Sequence, residues 1–298
     1  MITELRTFLS VVRIGTFAGA GETIGLTQSA VSSQMKRLEE HFGYPLFDRT
    51  GRSSEVNAAG KALVPRIEAL LRQFEELAQD GETHTEHVRL SVGAISTAQA
   101  SVLVPAFAKL LQDRLPVHLR IVPGVSIELM DQLDAGSLDA ALVIRPPFGI
   151  YSQLVWQPLL YEPYVLLAPA QCQAPSWEAL LRTQPFIRYD RYSFGGRMVE
   201  RFLRKRQLKP QEVAELDDLQ SLVALVDAGV GVAIAPMAAA LHPLPKNVRM
   251  WSLGEHTFYR EVGWLQQRQP REAAMMTALL QALVQQAQTL NLRAPAAP

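Results

Sequence analysis

Apolar and polar positions alternate with helical periodicity over the first 42 residues and predict three short helices. Leu5 and Phe8 begin the apolar face of the first helix. A second helix is predicted over 17–24, between a capping threonine and a glycine that permits a tight turn. Thr27 is expected to cap a third helix that ends near Phe42. The inner face of this third helix holds Val31, Met35, Leu38 and Phe42.

A compact hairpin is predicted after the third helix. Leu46 and Phe47 are apolar and are expected to anchor it, and Thr50-Gly51 forms its turn. Arg49 and Arg52 flank this turn. Helix, turn, helix and hairpin in this order predict a winged helix-turn-helix DNA-binding domain over residues 1–58.

The outward face of the third helix carries small polar side chains, which allow a helix to enter a major groove roughly 12 Å wide. Glutamine and serine are suited to contact bases, and the helix start favours phosphate. The lysine and arginines are assigned to the DNA backbone. The residues predicted to contact DNA are Thr27, Gln28, Ser29, Ser32, Ser33, Lys36, Arg37, Arg49 and Arg52.

A long helix is predicted next, capped by Asn57, in a linker segment over 59–87 that ends in a polar hinge. Its apolar positions follow a heptad spacing, which favours a dimer seam. The alternative is that this stripe packs on the chain's own body. The seam residues are Leu63, Ile67, Leu70, Phe74 and Leu77.

Strands alternate with helices over 88–291, which predicts an α/β domain with helices on both faces of a parallel sheet. Two longer strands are expected to cross between two lobes. Lobe I comprises 88–162 and 266–291, and lobe II comprises 163–265. The tail over 292–298 is predicted to be disordered.

Ligands in such domains bind between the lobes, beyond the carboxyl ends of the strands. Hydroxyls and amides at helix starts can hold a carboxylate there, and Arg145 after the third strand is the expected counter-ion. The alternatives are that Ser96 and Ser193 only cap helices and that Arg145 is a surface residue. The predicted effector site consists of Ser96, Thr97, Ser126, Arg145, Tyr189, Arg191 and Ser193.

Composition adds limits to this picture. The net charge is zero, and residues 1–66 carry eight basic and six acidic side chains, an excess of only +2. DNA binding must therefore depend on where the charges lie. The single cysteine, Cys172, cannot form an internal disulfide. Neither a signal peptide nor an apolar stretch of roughly 20 residues is found, so a cytoplasmic location and no membrane partner are expected.

Enzyme function is not expected. The six histidines lie apart along the chain, and no metal-binding or nucleophile-elbow motif occurs. No cofactor and no metal are predicted. The rival interpretation is a solute-binding protein or a small-molecule enzyme built on residues 88–291.

The run TFAGAGETIGLTQSAVSSQMKRLEEHFGYPLFDRTGR, followed by VNAAG, resembles the N-terminal domain of LysR-type transcriptional regulators. The segments LDAGSLDAALVI and LVALVDAGVGVAIAP fit the effector domain of the same family. The resemblance implies an α/β fold with a winged helix-turn-helix, a long linker helix and a two-lobed effector domain like the periplasmic binding proteins of type II.

The resemblance also implies a function and partners. The partners are double-stranded promoter DNA, a small-molecule co-inducer, RNA polymerase and further copies of the chain, as a dimer and a pair of dimers. In such a regulator the ligand in the interlobe cleft modulates promoter binding and DNA bending.

Overall fold

The computed structural model describes residues 1–50, 53–79 and 88–290, without the side chains of 49, 50, 53, 54, 72, 73 and 75–79. The predicted hinge at 80–87 and the predicted tail at 292–298 lie outside the described residues. The chain forms two compact units, the first comprising its N-terminal part with residues 134–137, and the second residues 88–133 and 138–290.

The first unit contains four helices and one hairpin among its described residues. They are α1 (Ile2–Ile14), α2 (Phe17–Ile24), α3 (Gln28–Phe42), β1 (Phe47–Thr50), β2 (Ser53–Val56) and α4 (Ala58–Gln79). Side chains cap three of the helices as predicted. Thr16 accepts a bond from the Gly19 amide (3.2 Å), Thr27 from Ala30 (3.2 Å) and Asn57 from Gly60 (2.9 Å).

The core of this unit holds the hairpin against the helices. Phe8 is fully buried, and Phe47 is 4% exposed. The Phe47 ring packs edge-on against Phe8 at 5.8 Å and against Phe17 at 5.1 Å, measured between ring centroids. Ile24, the last residue of α2, is 38% exposed.

The second unit is built on a mixed sheet in which the strands run in the order β10-β6-β11-β5-β3-β4, with β9 paired to β6. β3 is parallel to β4 and β5, whereas β11 is antiparallel to β5 and β6. Its strands are β3 (Val88–Ala94), β4 (Val117–Pro123), β5 (Ala140–Ile144), β6 (Leu154–Pro169), β7 (Phe186–Tyr189), β8 (Glu212–Leu216), β9 (Ala233–Pro236), β10 (Val248–Ser252) and β11 (Tyr259–Gln267).

Helices cover this sheet and the small β7-β8 sheet. They are α5 (Ser96–Ala98), which continues through a wider turn (Gln99–Leu103) into α6 (Val104–Gln112), then α7 (Ser126–Asp134), α8 (Trp177–Thr183), α9 (Phe194–Lys205), α10 (Leu219–Asp227) and α11 (Ala273–Thr289). The sequence pattern missed α8, β8 and β10. β8 is mostly exposed and has little apolar patterning for a sequence to reveal.

Two separate apolar cores define two lobes within the second unit. Strand β6 contributes Leu160 to the first core and Tyr164 to the second, so it passes from one lobe to the other. β11 lies beside it and places Trp264 in the first core. The two strands therefore run together through the junction between the lobes.

Candidate functional site

The outward face of α3 is a polar surface on a well-packed helix. Its inner residues Val31 and Leu38 are fully buried, which fixes the helix in the domain. The predicted base-contacting residues Gln28, Ser29, Ser32 and Ser33 are all exposed. Thr27 is also exposed, and its hydroxyl caps α3 and lies 3.0 Å from the Ser29 hydroxyl. Several exposed hydroxyls thus lie together at the start of the helix.

The lysine and arginines predicted to contact the DNA backbone differ in whether another side chain of the domain already binds them. Lys36 is widely exposed and lies 3.8 Å from Glu40 on its own helix. Arg37 donates to Glu4 of α1 at 3.2 Å, so its guanidinium is already paired inside the domain. Arg49 lies on β1, but its side chain is not described, and Arg52 lies outside the described residues.

The predicted dimer seam is divided in the structure. Ile67 is 4% exposed and belongs with partly buried Leu63 to the core of its own unit, as the alternative interpretation expected for the stripe. Leu70 and Phe74 are 48% and 47% exposed, and these two side chains have apolar surface to offer a partner. The Leu77 side chain lies outside the described set.

A cavity lies between the lobes of the second unit. It includes five of the seven residues predicted for the effector site, namely Ser96, Thr97, Ser126, Tyr189 and Ser193. Ser96, Thr97 and Ser126 lie at the starts of helices, and Ser193 directly precedes one. These helices follow the carboxyl ends of strands. Ser193 also caps α9 by accepting from the Gly196 amide at 3.0 Å.

Arg145 and Arg191, the other two predicted residues, are not among the residues that line this cavity. Arg145 bonds to Glu261 at 2.9 Å, and its side chain is 56% exposed. Arg191 bonds to Glu215 at 3.0 Å and to Glu212 at 2.7 Å, beside a separate depression of lobe II. Glutamates on neighbouring strands hold both guanidiniums, and the sequence does not reveal these pairings.

The cation of the cavity is Arg260, which the sequence reasoning missed. Arg260 on β11 and Glu162 on β6 are directly paired residues of the two antiparallel strands, and both side chains are 1% exposed. Arg260 Nε donates to Glu162, and Nη2 donates to the Thr97 hydroxyl at 2.9 Å. Glu162 interrupts the apolar run of β6, and this interruption is a signal in the sequence, whereas Arg260 is followed by Glu261 near the start of β11 and has no such signal.

The pKa values around this pair follow from burial and from the charges. Burial is the largest single effect and disfavours the charge on Arg260. The charge of Glu162, the phenols of Tyr189 and Tyr164 and the hydrogen bond to Glu162 together outweigh burial, so the pKa of Arg260 is raised above its ordinary value. Burial raises the pKa of Tyr164 strongly and also that of Tyr189. Both phenols therefore stay protonated, and that of Tyr164 donates to the Gly195 carbonyl at 3.0 Å.

Asp217 is a second residue that the sequence reasoning missed. It precedes α10 and lines the cavity from lobe II. Its Oδ1 atom is buried and has no hydrogen-bond partner among the described residues. Burial, and next the negative charge of Asp190, raise the pKa of Asp217. The cavity therefore joins hydroxyl groups, one paired guanidinium and one incompletely satisfied carboxyl group.

The described residues contain no cluster of three or more histidine, cysteine or acidic side chains able to hold a metal ion. Over the same residues, no helix has the length and apolar character needed to cross a membrane.

Two family models match the chain. The bacterial regulatory helix-turn-helix domain of the lysR family matches residues 2–61, and the LysR substrate binding domain matches residues 84–288. The first match includes α1 to α3 and the hairpin. The second includes both lobes and the cavity between them.

Individual relatives agree with these matches. The uncharacterized HTH-type transcriptional regulator YfeR of Shigella flexneri is 30% identical over 256 residues, covering 83% of this chain and 80% of that protein. The nitrogen assimilation regulatory protein nac of Klebsiella aerogenes is 29% identical over 248 residues, covering 80% of this chain and 79% of that protein. Full-length CbnR, solved in complex with its target DNA, has the same fold, with a TM-score of 0.68 and 17% identity over 96% of this chain and 99% of that chain. The chain belongs to the LysR family of helix-turn-helix transcriptional regulators.

Proposed function

We propose that this regulator reads promoter DNA with the exposed face of α3, and that a small molecule in the interlobe cavity controls how it does so. The proposal of DNA binding is supported by the two different faces of α3. One face is buried in the core, and the other presents Gln28, Ser32 and Ser33 to solvent. A rigid helix with short outward side chains can approach base edges closely.

The role proposed for each residue of α3 depends on how far it lies from the start of the helix. Gln28, Ser29, Ser32 and Ser33 are proposed to contact bases and nearby phosphates, while Lys36 anchors the helix to the backbone. Arg37 is proposed to reach phosphate by leaving Glu4, since a phosphate can replace the carboxylate as its partner. Arg49 and Arg52 are proposed to contact the backbone from the hairpin.

Two copies of the chain are proposed to bind paired half-sites. Leu70 and Phe74 on α4 leave large apolar surfaces exposed, and two such helices side by side would cover them. A local charge excess of only +2 over residues 1–66 supports the same conclusion, because a single copy has limited attraction for DNA. Two such dimers are further proposed to associate, and the protein is proposed to contact RNA polymerase at the promoter. Its DNA target gives the protein a cytoplasmic location.

The cavity is proposed to be the effector site. Buried hydroxyls of Thr97 and Ser126 come from one lobe, and Tyr189 and Asp217 come from the other. A ligand that contacts both lobes changes their preferred arrangement only by binding one arrangement more tightly. That difference in affinity is proposed to change DNA binding and bending.

Footprinting on the DNA upstream of the chain's own gene tests the proposal. Purified protein at a fixed, stated salt concentration should protect two half-sites on the same face of the duplex. Gln28→Ala should weaken protection, while Thr23→Ala, an exposed change on α2, serves as the matched control. Absence of any protected paired site, on this DNA and across a genomic fragment library, would overturn the proposal.

A further inference from the structure

The lobe I side of the cavity is rich in hydrogen-bond donors. The Thr97 oxygen accepts from Arg260 Nη2 at 2.9 Å, and the Ser126 oxygen accepts from the Ile144 amide at 3.1 Å. Because each oxygen is already used as an acceptor, each hydroxyl keeps its proton to donate. Ser96 adds an exposed hydroxyl at the same wall. This wall is therefore suited to a group that only accepts hydrogen bonds, such as a carboxylate.

The lobe II side offers the opposite chemistry. An ionised aspartate only accepts hydrogen bonds, and the buried Oδ1 of Asp217 has no partner among the described residues. Burial and the charge of Asp190 disfavour the ionised form, and the Ser193 hydroxyl and Arg260 offset part of this effect. A positively charged group on the cavity side of Asp217 would favour the ionised form of this carboxyl group.

The charges around the cavity favour a ligand that is not simply an anion. Arg260 is neutralised by Glu162, its buried partner on the adjacent strand. Among the described residues that line the cavity, Asp217 is then the carboxyl group that forms no ion pair, and Arg260 offsets only part of the cost of its ionisation. A dicarboxylate long enough to reach both lobes would bring its second carboxylate toward Asp217 and Asp190. An apolar ligand would offer the Asp217 carboxyl group neither a positive charge nor a hydrogen-bond donor.

We propose that the cavity binds a small zwitterion of the amino-acid type. Its carboxylate faces the hydroxyls of Ser96, Thr97 and Ser126, and its ammonium group faces Asp217. The two walls of the cavity suit the two ends of such a ligand, because Ser96, Thr97 and Ser126 line one side and Asp217 lines the other. This inference rests on the proposed function, since it names the ligand class of the proposed effector site.

The test is a thermal-shift and calorimetric titration of the full-length protein. The probes are the common L-amino acids, the matching 2-hydroxy acids such as L-lactate for L-alanine, and the dicarboxylates malonate and succinate. The variants are Asp217→Asn and Asp218→Asn. Asp218 is the matched control because it is the next residue, makes the same change of charge, and caps α10 through the Ser221 amide at 2.8 Å instead of lining the cavity.

At least one amino acid should bind the wild type and Asp218→Asn with similar affinity. Its 2-hydroxy analogue and the Asp217→Asn variant should each show binding weakened by at least about 30-fold, because a buried charge loses its partner. The comparison of amino and hydroxy acids on the wild type does not depend on any variant folding.

Two results would overturn the inference. Binding of a dicarboxylate or hydroxy acid that Asp217→Asn preserves or strengthens would reject the zwitterion and keep the cavity as an effector site. Failure of every probe to bind, with the promoter footprint of the same preparation intact, would reject the ligand class and leave the DNA-binding function standing. Loss of the footprint itself would instead count against the proposed function.

Discussion

Glu162 and Arg260 lie opposite each other on the two strands that pass between the lobes, and they form an ion pair at a point where both side chains are 1% exposed. The pair is tied to lobe I through the bond from Arg260 to Thr97. One charge pair therefore belongs to the junction of the lobes and to the wall of the proposed effector cavity. Its removal should affect both the stability of the domain and its ligand binding.

The first prediction concerns this pair. Glu162→Gln leaves the buried guanidinium without a counter-charge and should lower the free energy of unfolding by about 3–5 kcal/mol. Glu261→Gln, at the neighbouring position of β11, removes the partner of a half-exposed Arg145 and should cost about 1 kcal/mol or less. Urea unfolding of full-length protein, followed by tryptophan fluorescence, measures both. Equal losses of unfolding free energy in the two variants would contradict the claim that burial makes the Glu162 pair the more important one.

A second prediction concerns pH. Burial raises the pKa of Asp217, so its ionisation opposes folding once the pH exceeds the unfolded value of about 3.9. Asp217→Asn should therefore raise the melting temperature at neutral pH, and the gain should vanish as the pH falls below that value. The pKa of Asp218 is lowered by its bond from Ser221, so Asp218→Asn should slightly lower the melting temperature at neutral pH.

Melting curves of the wild type and both variants between acid and neutral pH measure this contrast. The loss in Asp218→Asn should fade as the pH falls through the lowered pKa of Asp218, since the wild-type carboxylate then becomes protonated as well. Shifts of the same sign in both variants at neutral pH would reject the opposite environments assigned to these adjacent residues.

A third prediction separates base contacts from backbone contacts on α3. Ser33→Ala should change which sequences are preferred while leaving the salt dependence of binding almost unchanged. Lys36→Ala should weaken binding to all sequences and reduce the salt slope by about one. Binding to a randomised promoter library at several salt concentrations measures both properties. The role assignment fails if the two variants lose affinity uniformly and with the same change of slope.

A fourth prediction concerns the cap of α3. Thr27 accepts the Ala30 amide bond at the helix start, so Thr27→Ala should destabilise the N-terminal unit by about 1 kcal/mol. Thr23, on α2, donates to the Gly19 carbonyl instead, so Thr23→Ala should leave stability within about 0.5 kcal/mol. Hydrogen exchange of the α3 amides reports the difference. Similar protection in the two variants would contradict the capping role.

A fifth prediction concerns self-association through α4. Leu70→Asp should shift the protein toward a smaller oligomer, because a charge would replace apolar surface that a partner helix is proposed to cover. Ala62→Asp places the same charge at another exposed position of α4 and is the control. Sedimentation velocity at several protein concentrations measures the outcome. An unchanged oligomer in Leu70→Asp would remove Leu70 from the proposed interface.

Local patterns in the sequence were sufficient for α1 to α3 and for the helix caps of the N-terminal unit. Each of these caps bonds to an amide three positions further along the chain, and the inner and outer faces of α3 follow directly from the helical repeat. Thr16, Thr27 and Asn57 could be assigned as caps for this reason. The exposed face of α3 needed no tertiary information either, since burial of one face leaves the opposite face in solvent.

The proposed effector site was only partly determined by sequence. The rule that ligands bind beyond strand ends placed Ser96, Thr97, Ser126, Tyr189 and Ser193 at the cavity. It could not assign the charges, because ion pairs depend on which strands lie side by side. Strand β11 lies far from β5 and β6 in sequence. Its pairing with β5 decided that Arg145 meets Glu261, and its pairing with β6 decided that Arg260 meets Glu162.

The division of the linker stripe was likewise decided by tertiary structure. A heptad spacing shows that Ile67 and Leu70 share an apolar face, but it does not show what covers each residue. In the folded unit, α4 turns Ile67 into the core and leaves Leu70 exposed. Sequence periodicity thus determined the elements and their faces, since both depend on neighbours a few residues away. Only the tertiary structure decided the charge partners and the coverage of each face, because these depend on elements far apart in the chain.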